Sequence, residues 1–400
     1  METETLSKRN LGASAAKEAL YISVHPILWG TITQQFLLYR GASAGLVGIY
    51  ATLITAIQMI ATVVLSATAE RLKNPLRFCT GMMLLQLGVA ALFLPAMAWD
   101  LGPVVTVVLI SMLSVGLLFL HSCKTICDYK IHYQIVSPKR YGTMMFLSSA
   151  ISGAAGILFT GCFSGMVDSD RVQNPYLLCM LLTLGIMAVA VFFNSRLKPI
   201  YPVPTATGSG NPLKQFRFLM RQPVFRKLLV PNFLRGITLS LTGCIVLVAL
   251  VMGIDESGRA KLPLVCALAT ACASVLYLLL EKKLPVSTIN MLGGVLTCTM
   301  IFLPWGNTWG FLGVYFVAYL GRTLVDSAVP TMLFPLIDPK IAGSFNAWRS
   351  VLFCLASILA TPVISTLVEV IHPLWLLIPG SVTYLVVTVW YHIVCKKLEP

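Results

Sequence analysis

Four polar side chains, His121, Lys124, Asp128 and His132, fall at i, i+3, i+7 and i+11 toward the end of a long apolar run, which puts them on one helical face. An ionisable group in hydrocarbon costs roughly 2.5–3.5 kcal/mol on insertion scales, so such a stripe inside a membrane helix implies contact with protein or water, and a task. The competing reading ends the span near Leu120 and makes the stripe a solvated extension. A second group is Arg322 with Asp326, an i, i+4 pair able to bond, with Tyr315 and Tyr319 continuing the same face. A planar guanidinium suits a carboxylate or a phosphate. Arg322 is therefore a candidate anion ligand, with Asp326 holding it or taking a proton; a purely structural helix tie is the alternative. Arg235 lies at a depth similar to that of Asp326, which permits a cross-helix pair, or else its side chain snorkels to the surface. Trp29, one turn after His25-Pro26, either packs in the core or stacks on a ring-shaped ligand.

Helices must position these groups, and the composition says in what solvent. Of 400 residues, 57% are hydrophobic and 11% charged, with mean hydropathy +0.84, which no soluble domain accommodates. Apolar runs of the roughly 20 residues needed to cross a bilayer recur along the chain and give twelve spans. These are 18–40, 43–68, 76–98, 105–134, 140–164, 174–195, 226–252, 261–280, 285–304, 308–335, 343–369 and 373–394. Six of the seven tryptophans, Trp348 among them, fall near span ends, where an aromatic belt is expected.

The net charge of +14 suggests nucleic acid only until the basic residues are placed. With both termini inside, 21 of the 29 Lys and Arg residues, Lys17 included, fall on the inner side, while Arg40, Arg171, Arg259 and Lys261 fall outside. That bias is the signature of cytoplasmic loops, so no nucleic-acid partner is expected. The 11 cysteines are scattered singly without metal or disulfide spacing and read as reduced packing residues. No metal or cofactor is called for, no cleaved signal peptide is read at the start, and no phosphate-binding Gly-x-x-x-x-Gly-Lys loop occurs.

A Pro/Gly/Ser-containing basic stretch at 196–225 reads as a flexible cytoplasmic linker between a six-span bundle at 1–195 and another at 226–400. Ser137-Pro138-Lys139-Arg140-Tyr141-Gly142-Thr143 recurs as Asp338-Pro339-Lys340-Ile341-Ala342-Gly343-Ser344 at an offset of 201, each copy preceding the fifth span of its half. The same offset maps His121 onto Arg322, which argues for a mid-membrane His121.

Twelve spans in a 6+6 repeat, a basic central loop and inside termini together resemble the major facilitator superfamily of secondary transporters, over essentially the whole chain. That family carries a Gly-x-x-x-Asp-Arg-x-Gly-Arg-Arg-type motif after its second span. Here Ser66-Ala67-Thr68-Ala69-Glu70-Arg71-Leu72-Lys73 keeps the acid–Arg pair and loses the glycines. The resemblance implies an all-α membrane protein of two pseudo-symmetric halves whose first, fourth, seventh and tenth helices line a cavity that opens alternately to each side. It implies a transporter rather than an enzyme, monomeric, multi-pass and in a plasma membrane, the short loops suiting a bacterial inner membrane. Trp29, His121, Lys124, Arg235, Tyr319 and Arg322 are then candidate substrate ligands for a small polar or anionic organic solute. Asp128, Asp326, Glu70 and Arg71 are candidates for proton coupling or gating, with H+ as a second partner. Multidrug efflux is the rival reading; a membrane-embedded enzyme and a non-transporting sensor are remoter ones.

Overall fold

The computed structural model describes residues 2–42, 44–136, 138–167, 172–202, 212–255, 258–259, 261–305, 307–338 and 341–396. Among these the chain is all helix and turn, without a strand. The first span is built from α1 (Glu2–Ser23), α2 (His25–Leu28) and α3 (Thr31–Tyr39). Then come α4 (Ala44–Arg71), α5 (Pro75–Ala91) with α6 (Phe93–Ala98), α7 (Pro103–Ile135), α8 (Pro138–Val167) and α9 (Pro175–Ser195). After α10 (Pro212–Arg221), the seventh span is α11 (Pro223–Gly243) with α12 (Ile245–Val251), followed by α13 (Leu262–Leu280) and α14 (Val286–Thr297), which tightens into a 3-10 segment (Cys298–Trp305). α15 (Thr308–Leu333), α16 (Ala342–Val370) and α17 (Leu374–Lys396) complete the twelve.

Among the described residues, nine helices are individually long and apolar enough to cross a membrane. The other three expected spans are present as interrupted or partly polar helices. The first breaks around Pro26 and Gly30: proline withholds a backbone donor, and a Cβ on Gly30 would lie 2.8 Å from Pro26 Cα. The helix itself starts at Glu2, well before the expected 18, so the polar beginning of the chain belongs to the first element. Asn-Pro pairs start two of the spans. Asn74 and Asn174 accept hydrogen bonds from the backbone N–H of Arg77 and Leu177, and the prolines that follow occupy the first helical turn, where no donor is needed. The linker departs from a purely flexible loop at its far end, where α10 is amphipathic: Leu219 and Gln215 are buried while Lys214, Arg217 and Arg221 are exposed. Trp348 departs from the aromatic belt; it is buried and packs on Phe216 of α10.

Contacts divide the chain into two compact units. Unit 1 comprises Met1–Ser137, Ala155–Pro212 and Pro339–Ala347; unit 2 comprises Pro138–Ala154, Leu213–Asp338 and Trp348–Pro400. This grouping follows proximity rather than chain order. Within unit 1, α1 packs on α9, α4 and α5 pack on α7, and α5 packs on α9. Within unit 2, α11 packs on α17, α13 and α14 pack on α15, and α14 packs on α17. Each unit thus repeats the same neighbour pattern: first span on sixth, second and third on fourth, third on sixth. Lipid offers helices little hydrophobic reason to associate, so close approach and buried polar bonds carry the packing. Gly293 of α14 and Gly321 of α15 illustrate it, since a Cβ on Gly321 would lie 2.6 Å from the Leu296 Cβ and from the Thr297 nitrogen.

Candidate functional site

Each unit holds one ionic cluster at the crossing of two spans. In unit 1, α1 and α7 bring four ionised groups together. Lys17 Nζ donates to Asp128 Oδ1 at 2.8 Å and reaches Glu18 Oε1 at 2.7 Å. Lys124 Nζ donates to Asp128 Oδ2 at 2.6 Å and to Glu18 Oε2 at 3.2 Å. Each ammonium therefore meets both carboxylates, and the formal charges cancel. Only such mutual pairing makes burial tolerable, because removing charges from water costs several kcal/mol per ion. Lys17 is fully buried and Lys124 nearly so. Cys79 of α5 points its thiol at Asp128 and at Asn194 of α9, whose amide donates to Thr80 Oγ1 at 2.9 Å.

One turn further along, aromatic rings continue the cluster. Lys124 Nζ lies 4.6 Å from the centre of the Tyr21 ring, a cation–π distance. Tyr21 stacks on His121 with centroids 5.5 Å apart, and Trp29 tilts against both His25 and His121 at 4.6 and 5.0 Å. His25 and His121 meet edge-on at 5.0 Å. Thr125 Oγ1 is bonded to His121 Nε2 at 3.2 Å. Among the described residues, His25 Nε2 and His121 Nδ1 are buried without a hydrogen-bond partner.

In unit 2 the cluster joins α11 to α15. Asp326 accepts from Arg235 Nη2 through one oxygen and from Arg322 Nε through the other, the latter at 3.3 Å. Arg322 also lies over the Tyr319 ring, 5.3 Å from its centre. Tyr315, behind Tyr319, is bonded to Cys266 Sγ of α13 at 3.4 Å. One turn before Arg235, Asn232 Oδ1 accepts from the Tyr391 hydroxyl of α17. Two guanidiniums here share the Asp326 carboxylate. The cluster is also more open than its counterpart: the Asp326 side chain is 40% exposed, against 7% for Asp128.

The sequence-derived candidates thus fall into two groups, Trp29, His121, Lys124 and Asp128 in unit 1 and Arg235, Tyr319, Arg322 and Asp326 in unit 2. The solvated-extension reading of the stripe fails: α7 runs unbroken to Ile135, and Lys124, Asp128 and His132 are buried in it. Lys17, counted among the inner-side charges, is a correction, since it is buried on Asp128. Glu70 and Arg71 end α4, and their side chains lie outside the described residues. Sequence reasoning missed Lys17, Glu18, Tyr21 and His25 as site members. The signal was present, because Lys17, Tyr21, His25 and Trp29 recur every four residues on one helical face. Opening the first span at residue 18 cut that stripe.

The whole chain superposes on solved transporter structures. Against the human organic anion transporter MFSD10 (TETRAN) the TM-score is 0.70 at 15% identity, covering 96% of this chain and 99% of that one. The chain shares the fold of this transporter. A bacterial homologue of the iron transporter ferroportin, in an outward-facing state, gives a TM-score of 0.69 at 14% identity, covering 98% and 99% of the two chains. The same homologue with soaked iron gives 0.69 at 13% identity over 98% of each. No protein-family model matches the sequence, and no curated protein does. The two clusters lie on the first and fourth spans and on the seventh and tenth, the four that the resemblance implies line a cavity.

Proposed function

We propose that the chain is a secondary transporter that carries a small polar or anionic organic solute across a plasma membrane by alternating access. The observation that carries this reading is the convergence of two guanidiniums, Arg235 and Arg322, on one partly open carboxylate, Asp326, in unit 2. A solute carboxylate or phosphate matches the planar fork of a guanidinium, so two guanidiniums converging on one partly open carboxylate suit an anionic group. MFSD10 is named for organic anions, which agrees with this sign.

Arg322, Arg235 and Tyr319 of unit 2 are the proposed ligands of the charged end of the solute; in unit 1, Trp29 and His121 are proposed substrate ligands, with the ring nitrogens of His25 and His121 offering hydrogen bonds. Lys124 and Asp128 are engaged with each other and with Lys17 and Glu18, so they enter as a network that opens during the cycle. Asp326 and Asp128 are the proposed coupling groups if a proton accompanies the solute, and Glu70 with Arg71 the proposed gating pair. The chain is proposed to act as a monomer with both termini cytoplasmic, in a bacterial inner membrane.

The test is counterflow into liposomes holding the purified protein, with a panel of carboxylates, phosphate esters, sugars and nucleosides. At least one anion is expected to exchange, and Arg322→Ala to reduce that exchange at least tenfold with the inserted amount unchanged. Undiminished exchange by Arg322→Ala removes the site; exchange of neutral sugars alone removes the substrate class.

A further inference from the structure

The basic end of unit 2 carries a groove that none of the transport machinery uses. It has a volume of about 430 Å³ and is lined by Lys227 of α11 and by Val386, Val389, Trp390, Ile393 and Val394 of α17. Tyr391 meets Asn232, and a Cβ on Gly380 would meet Leu241, so the two helices run antiparallel and Lys227 lies level with the last turn of α17. The five α17 residues lie within the nine positions Val386 to Val394, eight steps or about 12 Å of helix at 1.5 Å per residue, leading away from that end. One end of the groove is thus cationic and the rest aliphatic and aromatic.

Among the described residues of α10, α11 and α17, every exposed charge toward this end is basic. Arg226, Lys227 and Lys396 are exposed there, and Arg217 and Arg221 are exposed on α10, which leads into α11. Between residues 212 and 254, and between 371 and 396, there is no Asp or Glu. α10 also exposes Leu213 and Phe218 beside its basic residues, the composition of a helix lying at the headgroup layer. Trp390, partly exposed in the groove, is of the residue type that settles at that level.

The geometry points to a binding site for an acidic glycerophospholipid, its phosphate on Lys227 with Arg226 and Lys396 close by, and one acyl chain along Val386, Val389, Trp390 and Ile393. A neutral zwitterionic lipid would gain the apolar contacts without the net attraction. Basic surfaces at membrane helix ends select acidic lipids by about fivefold per Lys or Arg.

Native mass spectrometry of the full-length protein, extracted from bilayers of equal phosphatidylglycerol and phosphatidylcholine, tests this. The unsubstituted protein is expected to retain phosphatidylglycerol at least fivefold over phosphatidylcholine. Lys227→Glu should bring the ratio near one, Lys227→Arg should keep it, and Val389→Trp, which fills the groove, should lower retention of phosphatidylglycerol at least fivefold. Ile393→Asn, at an exposed position, replaces Val389→Trp where the latter does not fold. Equal retention of the two lipids, a ratio unmoved by Lys227→Glu, or full retention by the groove variants overturns the proposal. So does displacement of the lipid by millimolar inorganic phosphate, which would reduce the site to a phosphate contact.

Discussion

At the scale of single residues, the two clusters differ in what a lost carboxylate would do. Asp128 is the common acceptor of Lys17 and Lys124, and both ammoniums are buried. Asp128→Asn leaves two cations with only Glu18 between them, and breaking a buried pair in this way costs about 3–5 kcal/mol. We expect that variant to show a clearly lowered unfolding temperature in detergent; an unchanged temperature would mean that the network is already open to water. Asp326 is more exposed and is shared by two guanidiniums. Asp326→Asn is therefore expected to melt closer to the unsubstituted protein than Asp128→Asn does, while altering anion exchange. Both pairs could be drawn from helical spacing alone. That Lys17 and Glu18 complete one of them could not, because a lysine at the edge of an apolar run reads equally well as a loop charge.

Among the elements, the packing of α14 on α15 sets where Arg322 points. Gly321 directly precedes Arg322, and its missing Cβ lets α15 approach the backbone of α14 at Gly293 and Thr297. In lipid such close approach is a main source of helix association. Gly321→Ala would have to push the helices apart, and overpacking of this kind costs typically ~1–3 kcal/mol. The same substitution at Gly313 of α15, where a Cβ meets nothing within 4 Å, should be neutral or slightly stabilising. Differential melting of the two variants is the measurement, and equal midpoints would contradict the packing argument. The span limits were legible from hydropathy because a bilayer demands long apolar runs. The break at Pro26 to Gly30 and the helical part of the linker were not, since Pro and Gly mark loops and kinks alike until tertiary contacts choose between them.

At the scale of the whole molecule, the proposed orientation with both termini cytoplasmic places 20 of the 29 Lys and Arg residues on that side, Lys17 of the expected 21 being buried on Asp128. The measurement is labelling by a membrane-impermeant maleimide on a background without native cysteines. Lys282→Cys, on an exposed loop, should react only from the cytoplasmic side, and Asp100→Cys, whose native side chain is 88% exposed, only from outside. The opposite pattern would reverse the orientation and the proposed direction of every gate.

What the amino-acid order determined by itself was the solvent, the twelve crossings, the two-half repeat and the presence of charge at depth. All of these follow from transfer free energies and helical periodicity, which act locally along the chain. Only the tertiary structure decided the partners. It closed Lys17, Glu18, Lys124 and Asp128 into a neutral square and left Arg235 and Arg322 sharing a single carboxylate. The reason is physical: which buried charges neutralise each other depends on distances between helices far apart in sequence, and no local pattern encodes those distances.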